Sequence, residues 1–377
     1  MIIKNIHLFN FRNHADSDLS FGEGINVLSG ANGQGKTNIL EAVSYLGLTK
    51  SFYAATDLHV VRLGEKSFNV LGHLTSDGGV PHTVHVAFRK DEPQKSVLID
   101  NVAPESLSRV IGRFPVVILS PEHSRITGGG PAERRRFLDL LLSQVSARYL
   151  DDIMQYRRVL RQRNRILHDA RWRPAGAKEL VEPWTRNLID LGARIVGRRL
   201  QFVAEFSDYV RRTYAFLAGE FEEPSIDYQG FDDFAGSPSE EAIASRMAEE
   251  LEQRWDEEVR RGVSLVGPHR DELRLLLNGI SVQEYASTGQ QKTFLVALKV
   301  AEHTYLRERR NERPIMLLDD LFGELDEQRS RRILEQIARE GQCVITATDD
   351  RPFMTKGAWN TSLKRFVIDR GTVKEEA

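Results

Sequence analysis

The sequence predicts an α/β fold in two parts, with an antiparallel β subdomain at the N-terminus and a helical lobe inserted between the parts. Three observations predict it. A strand, a glycine-rich loop and a helix follow one another at 25–48. Short apolar runs of buried-strand type return at 314–318 and 343–347. Between these regions, 131–217 carries apolar residues at helical spacing. The expected divisions are 1–120 for the first part of the α/β lobe, 121–262 for the helical lobe with an acidic linker, and 263–377 for the second part.

Bulk properties restrict the classes of function. The 377 residues suit two domains or three lobes at roughly 100–200 residues per domain. Hydrophobic residues at 41% and charged residues at 28% exclude wholesale disorder. Lys plus Arg number 52 and Asp plus Glu 54, so any nucleic-acid site must be local rather than a globally basic coat. The charge is divided along the chain. Residues 125–215 hold 19 Lys/Arg against 10 Asp/Glu, whereas 216–262 hold 4 against 14. One cysteine, Cys343, excludes an internal disulfide framework and argues against a cysteine-based zinc site. No apolar run approaches the ~18 residues of a membrane span. The alternating start Met1-Ile2-Ile3-Lys4-Asn5-Ile6 reads as a strand rather than a signal peptide, so the expectation is a cytoplasmic protein.

Each element follows from local pattern. Alternation at 2–11, 16–21, 24–28, 68–74, 82–88 and 96–99, punctuated by glycine and by Asp91-Glu92-Pro93, predicts strands of an antiparallel sheet. A helix is expected at 36–48. The helical stretch 131–217 carries Pro174, Gly176 and Pro183, which are expected to interrupt it. The acidic stretch 219–239 reads as a loop or linker. Residues 263–265 and 273–277 read as strands, the second closed by an Asn278-Gly279 turn. Helices at 293–309 and 328–339 and strands at 314–318, 343–347 and 365–369 complete the chain.

Gly30-Ala31-Asn32-Gly33-Gln34-Gly35-Lys36-Thr37 fits G-x-x-x-x-G-K-[ST], after a strand and at the start of a helix. Glycines let the backbone turn its N–H groups inward on phosphate oxygens. The helix N-terminus adds positive partial charge. Lys36 is expected to reach the β- and γ-phosphates of ATP, and Thr37 to place a hydroxyl on Mg2+. The apolar run Pro314-Ile315-Met316-Leu317-Leu318 ends in Asp319-Asp320. Strand ends of this kind open on the ligand crevice. Asp319 is expected to hold Mg2+, and Asp320 to orient or deprotonate the attacking water. A carboxylate at such a place also suits a plain helix cap.

Ser287-Thr288-Gly289-Gln290-Gln291-Lys292 resembles the signature of ABC ATPases, about 27 residues before the Asp-Asp strand, and Gly323-Glu324-Leu325-Asp326 resembles their D-loop. Ser287 and Gly289 open a helix and so form a second phosphate receptor. In ABC ATPases that receptor meets the nucleotide of a partner subunit. The opening Phe11-Arg12-Asn13-His14, the segment Gly130-Pro131-Ala132-Glu133-Arg134-Arg135-Arg136-Phe137-Leu138-Asp139 and Gly267-Pro268-His269-Arg270-Asp271 are similar to those of the RecF family, which belongs with the SMC-type ABC ATPases. The resemblance runs over essentially the whole chain. Phe52-Tyr53 and His123 depart from the family's usual basic pair and Asp, and Thr346-Ala347-Thr348-Asp349 lacks the switch histidine of transporter-type ABC ATPases.

The resemblance implies an ABC-type P-loop ATPase head in which Arg12 and Asn13 join the nucleotide-binding residues. It implies ATP-driven head-to-head dimers that clamp DNA at gaps or junctions, with RecR and RecO as partners, RecA loading and the SOS response as outcomes, and slow, DNA-stimulated hydrolysis as a switch. Another SMC-like ATPase of DNA metabolism and a transporter ATPase subunit are the alternatives. The dense arginines Arg134, Arg135, Arg136, Arg157, Arg158, Arg161, Arg163, Arg165, Arg171 and Arg173 supply forks suited to phosphate. A solvated face paired with the acids of 216–262 is the plainer explanation of the same residues. The short helical insert predicts a compact lobe without a long coiled-coil arm or zinc hook.

Overall fold

The computed structural model describes residues 1–320, 341–348 and 362–376, apart from positions 55, 93, 173, 174, 220, 232, 233, 235 and 237. The D-loop resemblance at 323–326, the helix expected at 328–339, Arg173, Pro174 and Asp349 lie outside the described residues. The first elements are β1 (Ile2–Phe11), β2 (His14–Ser20), β3 (Ile25–Ser29), α1 (Lys36–Leu48), β4 (Ser67–Thr75), β5 (Pro81–Arg89), β6 (Ser96–Ile99) and β7 (Val116–Leu119). There follow α2 (Ser124–Gly128), α3 (Pro131–Val145), α4 (Ala147–Ala170), α5 (Ala177–Ala218), β8 (Pro224–Gln229), α6 (Glu240–Gln253) and α7 (Trp255–Arg261). The remainder are β9 (Glu272–Leu277), β10 (Ile280–Ser281), α8 (Val282–Tyr285), α9 (Thr288–Arg310), β11 (Ile315–Leu318), β12 (Cys343–Ala347), β13 (Leu363–Asp369) and β14 (Thr372–Glu376).

The chain divides into two compact units. The first comprises Met1–Ser124, Phe216–Gly219 and Lys292–Ala377, and the second Arg125–Ala215 and Glu220–Gln291. The first unit holds two sheets. One is antiparallel, in the order β2-β1-β4-β5-β6, and the other runs β14-β13-β3-β12-β11-β7, parallel except at the β13–β14 hairpin. Helix α1 touches β1, β4 and β5 of the first sheet and β7 and β12 of the second. It is therefore buried along most of its length, with Ile39, Leu40, Val43, Tyr45, Leu46 and Leu48 among its buried side chains. Each fully buried aliphatic side chain of this kind contributes roughly 1.5–3 kcal/mol over its exposed state. Tyr45 and Phe68 meet Phe11 edge-on, with centroids 5.7 and 5.4 Å from it. Close packing explains two glycines here. A Cβ on Gly72 would lie 2.3 Å from Leu46 Cδ1, and one on Gly47 would lie 2.4 Å from Phe114 O.

The second unit is helical, with a three-stranded antiparallel sheet ordered β10-β9-β8. Several expectations are corrected here. Pro183 does not break its helix, because α5 continues through it for 42 residues. The helical pattern does divide around Gly176 as expected, with α4 ending at Ala170 and α5 starting at Ala177, and it divides also at Ser146, whose hydroxyl caps α4 by accepting from Tyr149 N. The stretch expected as a linker contributes β8, which pairs with β9 in full register from Pro224↔Leu277 to Gln229↔Glu272. Residues 263–265 form no strand, since Leu265 N is taken by the Glu258 carboxylate instead of a sheet partner. Helix α9 starts at Thr288, five residues before the expected start. Strands β7 and β14 and helices α6 and α7 were not legible in the pattern.

Candidate nucleotide site and the signature helix

The glycine loop leaves β3 at the centre of the parallel sheet, with β12 and β13 on either side. Its shape needs glycine at both ends. Gly30 has φ +145° and Gly35 φ +113°. A Cβ on Gly30 would sit 2.4 Å from Ile368 O, and one on Gly35 2.5 Å from Asn13 Oδ1. Ala31, Asn32 and Gly33 are exposed at the tip, while Gly35 and Lys36 are buried at the helix start. The Lys36 ammonium donates to Gly30 O at 2.6 Å and Ala31 O at 2.9 Å, folded back over its own loop. Burial lowers its pKa from the usual lysine value, against the opposing pull of Asp320 and Asp319.

Asp319 lies at the end of β11, one strand beyond β12. Its Oδ1 accepts from Thr37 Oγ1 at 2.8 Å and from Thr346 Oγ1 at 2.7 Å. Burial raises its pKa above the usual carboxylate range. A hydroxyl and a carboxylate in contact are hard oxygen donors of the type Mg2+ takes alongside phosphate and water, so the residues fit that ion. Asp320 is exposed and adopts φ +48°. Its N–H donates to Thr346 Oγ1 at 2.9 Å. Thr346, which opens the switch stretch 346–349, thus holds both acidic residues through one hydroxyl, a contact the stretch by itself does not indicate.

Arg12 and Asn13 stand beside the loop in different ways. Arg12 makes a two-pronged pair with buried Glu41, at 2.7 and 2.8 Å, and its third nitrogen donates to His59 O. Asn13 Nδ2 donates to Gln34 O at 2.8 Å, and its Oδ1 accepts from Asn38. Gln34 is held from the β13–β14 turn as well, where Arg370 N donates to its Oε1 and Gly371 N to its carbonyl. The turn that props the loop was missed in the sequence, because it lies more than three hundred residues away. His123 caps a short turn, its Nδ1 accepting from Ser120 N at 3.1 Å. Phe52 and Tyr53 meet edge-on in the turn after α1.

The signature belongs to the second unit. Ser287, Thr288 and Gly289 are exposed at the start of α9. Ser287 and Gln290 form a reciprocal cap. Ser287 N donates to Gln290 Oε1 at 2.8 Å, and Gln290 N to Ser287 Oγ at 3.3 Å. The cap uses a lone pair of the serine oxygen and leaves its O–H free to donate to an anion.

A family model described as the RecF/RecN/SMC N-terminal domain matches residues 2–366. The chain belongs to this family. The DNA replication and repair protein RecF of Salinibacter ruber is 41% identical over 356 residues, covering 94% of this chain and 86% of that protein. A solved structure of the recombination mediator protein RecF with ATP, from the RecFOR pathway, superposes with a TM-score of 0.90 at 29% identity, covering 100% of this chain and 97% of that one. An Smc head bound to the C-terminal winged-helix domain of ScpA shares the fold alone, with a TM-score of 0.56 at 14% identity over 100% of this chain and 97% of that one. The resemblance seen in the motifs is thus borne out, and so is the ABC-type ATPase head.

Two segments characteristic of the RecF resemblance turn out to lock together inside the second unit. Arg134 is 5% exposed. It pairs with Glu272 at 2.6 Å and donates to Gly129 O, Ile126 O and Gln283. Arg135 donates to Asp271 O at 2.7 Å. Asp139 accepts from Tyr149, from exposed Arg157 and from buried Arg199, which also reaches Pro268 O. His269 and Asp271 meet Tyr156 and Tyr228. Burial holds the Asp271 carboxyl at about 6 and the His269 imidazole at about 4. Arg163 is buried as well, paired with Glu258 at 2.6 Å. Among the expected DNA-contacting residues, Arg134 is therefore turned inward. Arg158 and Arg161 stay exposed on α4 without a partner among the described residues. Among the described residues no helix is long and apolar enough to cross a membrane.

Proposed function

We propose that this chain is an ATP-operated DNA-binding switch of recombinational repair, acting as a dimer that closes on nucleotide. The carrying observation is the meeting of Thr37, Asp319 and Thr346 below the glycine loop, which assembles the Mg-triphosphate half of an ABC site in one unit. Lys36 neutralises the β- and γ-phosphates, and the loop N–H groups and the α1 N-terminus orient them. Thr37 and Asp319 hold Mg2+, which when bound draws charge from the phosphates. Asp320 orients or deprotonates the attacking water.

Completion of the site needs a second anion receptor, and Ser287 and Gly289 of another copy supply it. Nucleotide then stabilises the dimer by mass action. Arg12, tied to Glu41, and Asn13, tied to Gln34, position the loop from beside it. The relatives named as DNA replication and repair proteins support DNA as the substrate, and the solved RecF of the RecFOR pathway supports partners from that pathway, RecR and RecO; gaps or junctions are the form of DNA that the family resemblance implies.

Size measurement with ATP, ADP and no nucleotide tests the dimer. Lys36→Met is expected to lose tight ATP binding and dimers together. Ser287→Arg is expected to keep ATP binding by the monomer and lose the dimer, because a long cation blocks the receptor. Dimers of Ser287→Arg as stable as those of the parent would overturn the shared site.

DNA contact is read from α4. Arg158 and Arg161 lie one turn apart on an exposed face, free for phosphate. Replacing both by Ala is expected to weaken duplex binding and to flatten the plot of log affinity against log salt by about 1.8, at about 0.9 per lost contact. An unchanged slope would place the DNA elsewhere.

A further inference from the structure

The signature helix is held by a residue that neither the motif nor the nucleotide chemistry calls for. Glu222 comes from the acidic stretch that follows α5, just before β8. Its Oε1 accepts from Gln290 Nε2 at 2.6 Å. Its other oxygen accepts from the Tyr214 hydroxyl on α5. Gln290 in turn presents its Oε1 to Ser287 N at 2.8 Å. A chain of hydrogen bonds therefore runs Ser287 N–H, Gln290 carboxamide, Glu222 carboxylate, Tyr214 O–H.

We infer that Glu222 is a positioning residue for the phosphate receptor at the start of α9, acting through Gln290. A carboxamide has two similar faces, oxygen and NH2, and can turn over. A carboxylate can only accept, so Glu222 binds the NH2 face and forces the oxygen toward Ser287 N. The reciprocal cap then forms in one orientation, and the start of the signature helix is held in a single arrangement. Preorganised donors of this kind stabilise charge without reorganising at the moment of reaction. Tyr214 fixes the carboxylate from its far side, and the backbone of Glu223 is clamped to Asn278 by two bonds, Glu223 N to Asn278 Oδ1 at 2.7 Å and Asn278 N to Glu223 O at 2.8 Å. The segment that composition marks as a linker thus serves as a strut from α5 and the β9–β10 turn to the signature.

The catalytic part of this inference rests on the shared-site reading, but the local part does not, and two measurements separate them. The first is hydrogen exchange of the nucleotide-free full-length protein. Glu222→Ala is expected to speed exchange of the 287–291 amides about tenfold while the 30–37 amides keep their parent rates. Parent-like exchange at 287–291 would overturn the strut whatever the state of the dimer. The second measurement is steady-state hydrolysis with sizing. Glu222→Ala is expected to lower kcat and dimer yield about tenfold with monomer ATP affinity unchanged. Glu222→Gln, which keeps an acceptor for Gln290 but adds an NH2 that can face it instead, is expected to recover part of both. If Ser287→Arg abolishes the dimer and Glu222→Ala leaves it at parent level, the strut fails and the shared site stands. If the parent forms no dimer with ATP, the shared site fails, and the exchange data alone decide the strut. Loss in Glu222→Ala and Glu222→Gln alike would assign Glu222 to charge rather than to orientation of Gln290, which also overturns the inference.

Discussion

Asp320→Asn is expected to lower kcat for ATP hydrolysis by about 10²–10⁴-fold, the usual contribution of a positioned general base. ATP affinity should stay within a few fold of the parent. The structural reason is the placement of the two neighbouring acids. Asp319 is turned under the loop to Thr37 and Thr346, while Asp320 remains exposed at φ +48° with its N–H held by Thr346. That backbone region is tolerated by Asp and Asn and disfavoured for other side chains. Asparagine therefore keeps the geometry and removes only the basic oxygen. The variant should accumulate as an ATP-bound dimer on DNA. Single-turnover hydrolysis and light scattering check it, and a parent-like rate would move the base away from Asp320.

Glu258→Ala is expected to destabilise the protein by about 3–5 kcal/mol, because removing one member of a buried ion pair strands the other charge. Arg163 and Glu258 are 1% and 0% exposed. The Arg163 guanidinium also serves Thr185 and Ser264, and the second Glu258 oxygen takes Leu265 N. Loss of Glu258 thus leaves a buried cation without its counter-charge and a backbone donor without its acceptor, and urea unfolding monitored by far-UV circular dichroism reads the loss. The double variant Arg163→Met/Glu258→Leu should recover part of it, since apolar residues of similar volume often replace a buried pair at no net cost, while Leu265 N still lacks its acceptor. A single variant within about 1 kcal/mol of the parent, the range of an exposed pair, would show that the bridge is solvated.

The two cases mark how far the candidate site was legible. The glycine loop carries its chemistry within eight consecutive residues, and the strand before it and the helix after it are local as well. Asp319 and Asp320 were legible because an apolar strand must end where its sheet opens on the ligand crevice. Thr346 was not, since its hydroxyl matters only through strand pairing that sets β12 beside β11, with Leu318 opposite Ile345. Gln34 was legible as a member of the phosphate loop, but not its anchoring, since the distant β13–β14 turn holds both its carbonyl and its side chain.

The arginine-rich stretch was legible only in part for a related reason. Composition counts charges but not the direction in which a helix presents them. Arg134 and Arg163 point inward to Glu272 and Glu258, whereas Arg158 and Arg161 of the same region stay exposed. The acidic surplus of 216–262 supplies part of that internal pairing, as well as Glu222 for the signature helix.

By itself the sequence determined the α/β class, the phosphate loop, the paired acids and the signature, and hence an ATPase of ABC type. These are features of contiguous segments, where a few neighbouring residues and a periodicity suffice. Tertiary structure alone decided which charges are buried, that residues 134–139 and 267–271 serve the core of the second unit, and that a presumed linker carries a strand and a strut. Those outcomes depend on contacts between residues far apart in the chain, and a guanidinium has the same composition whether a carboxylate or water lies opposite it.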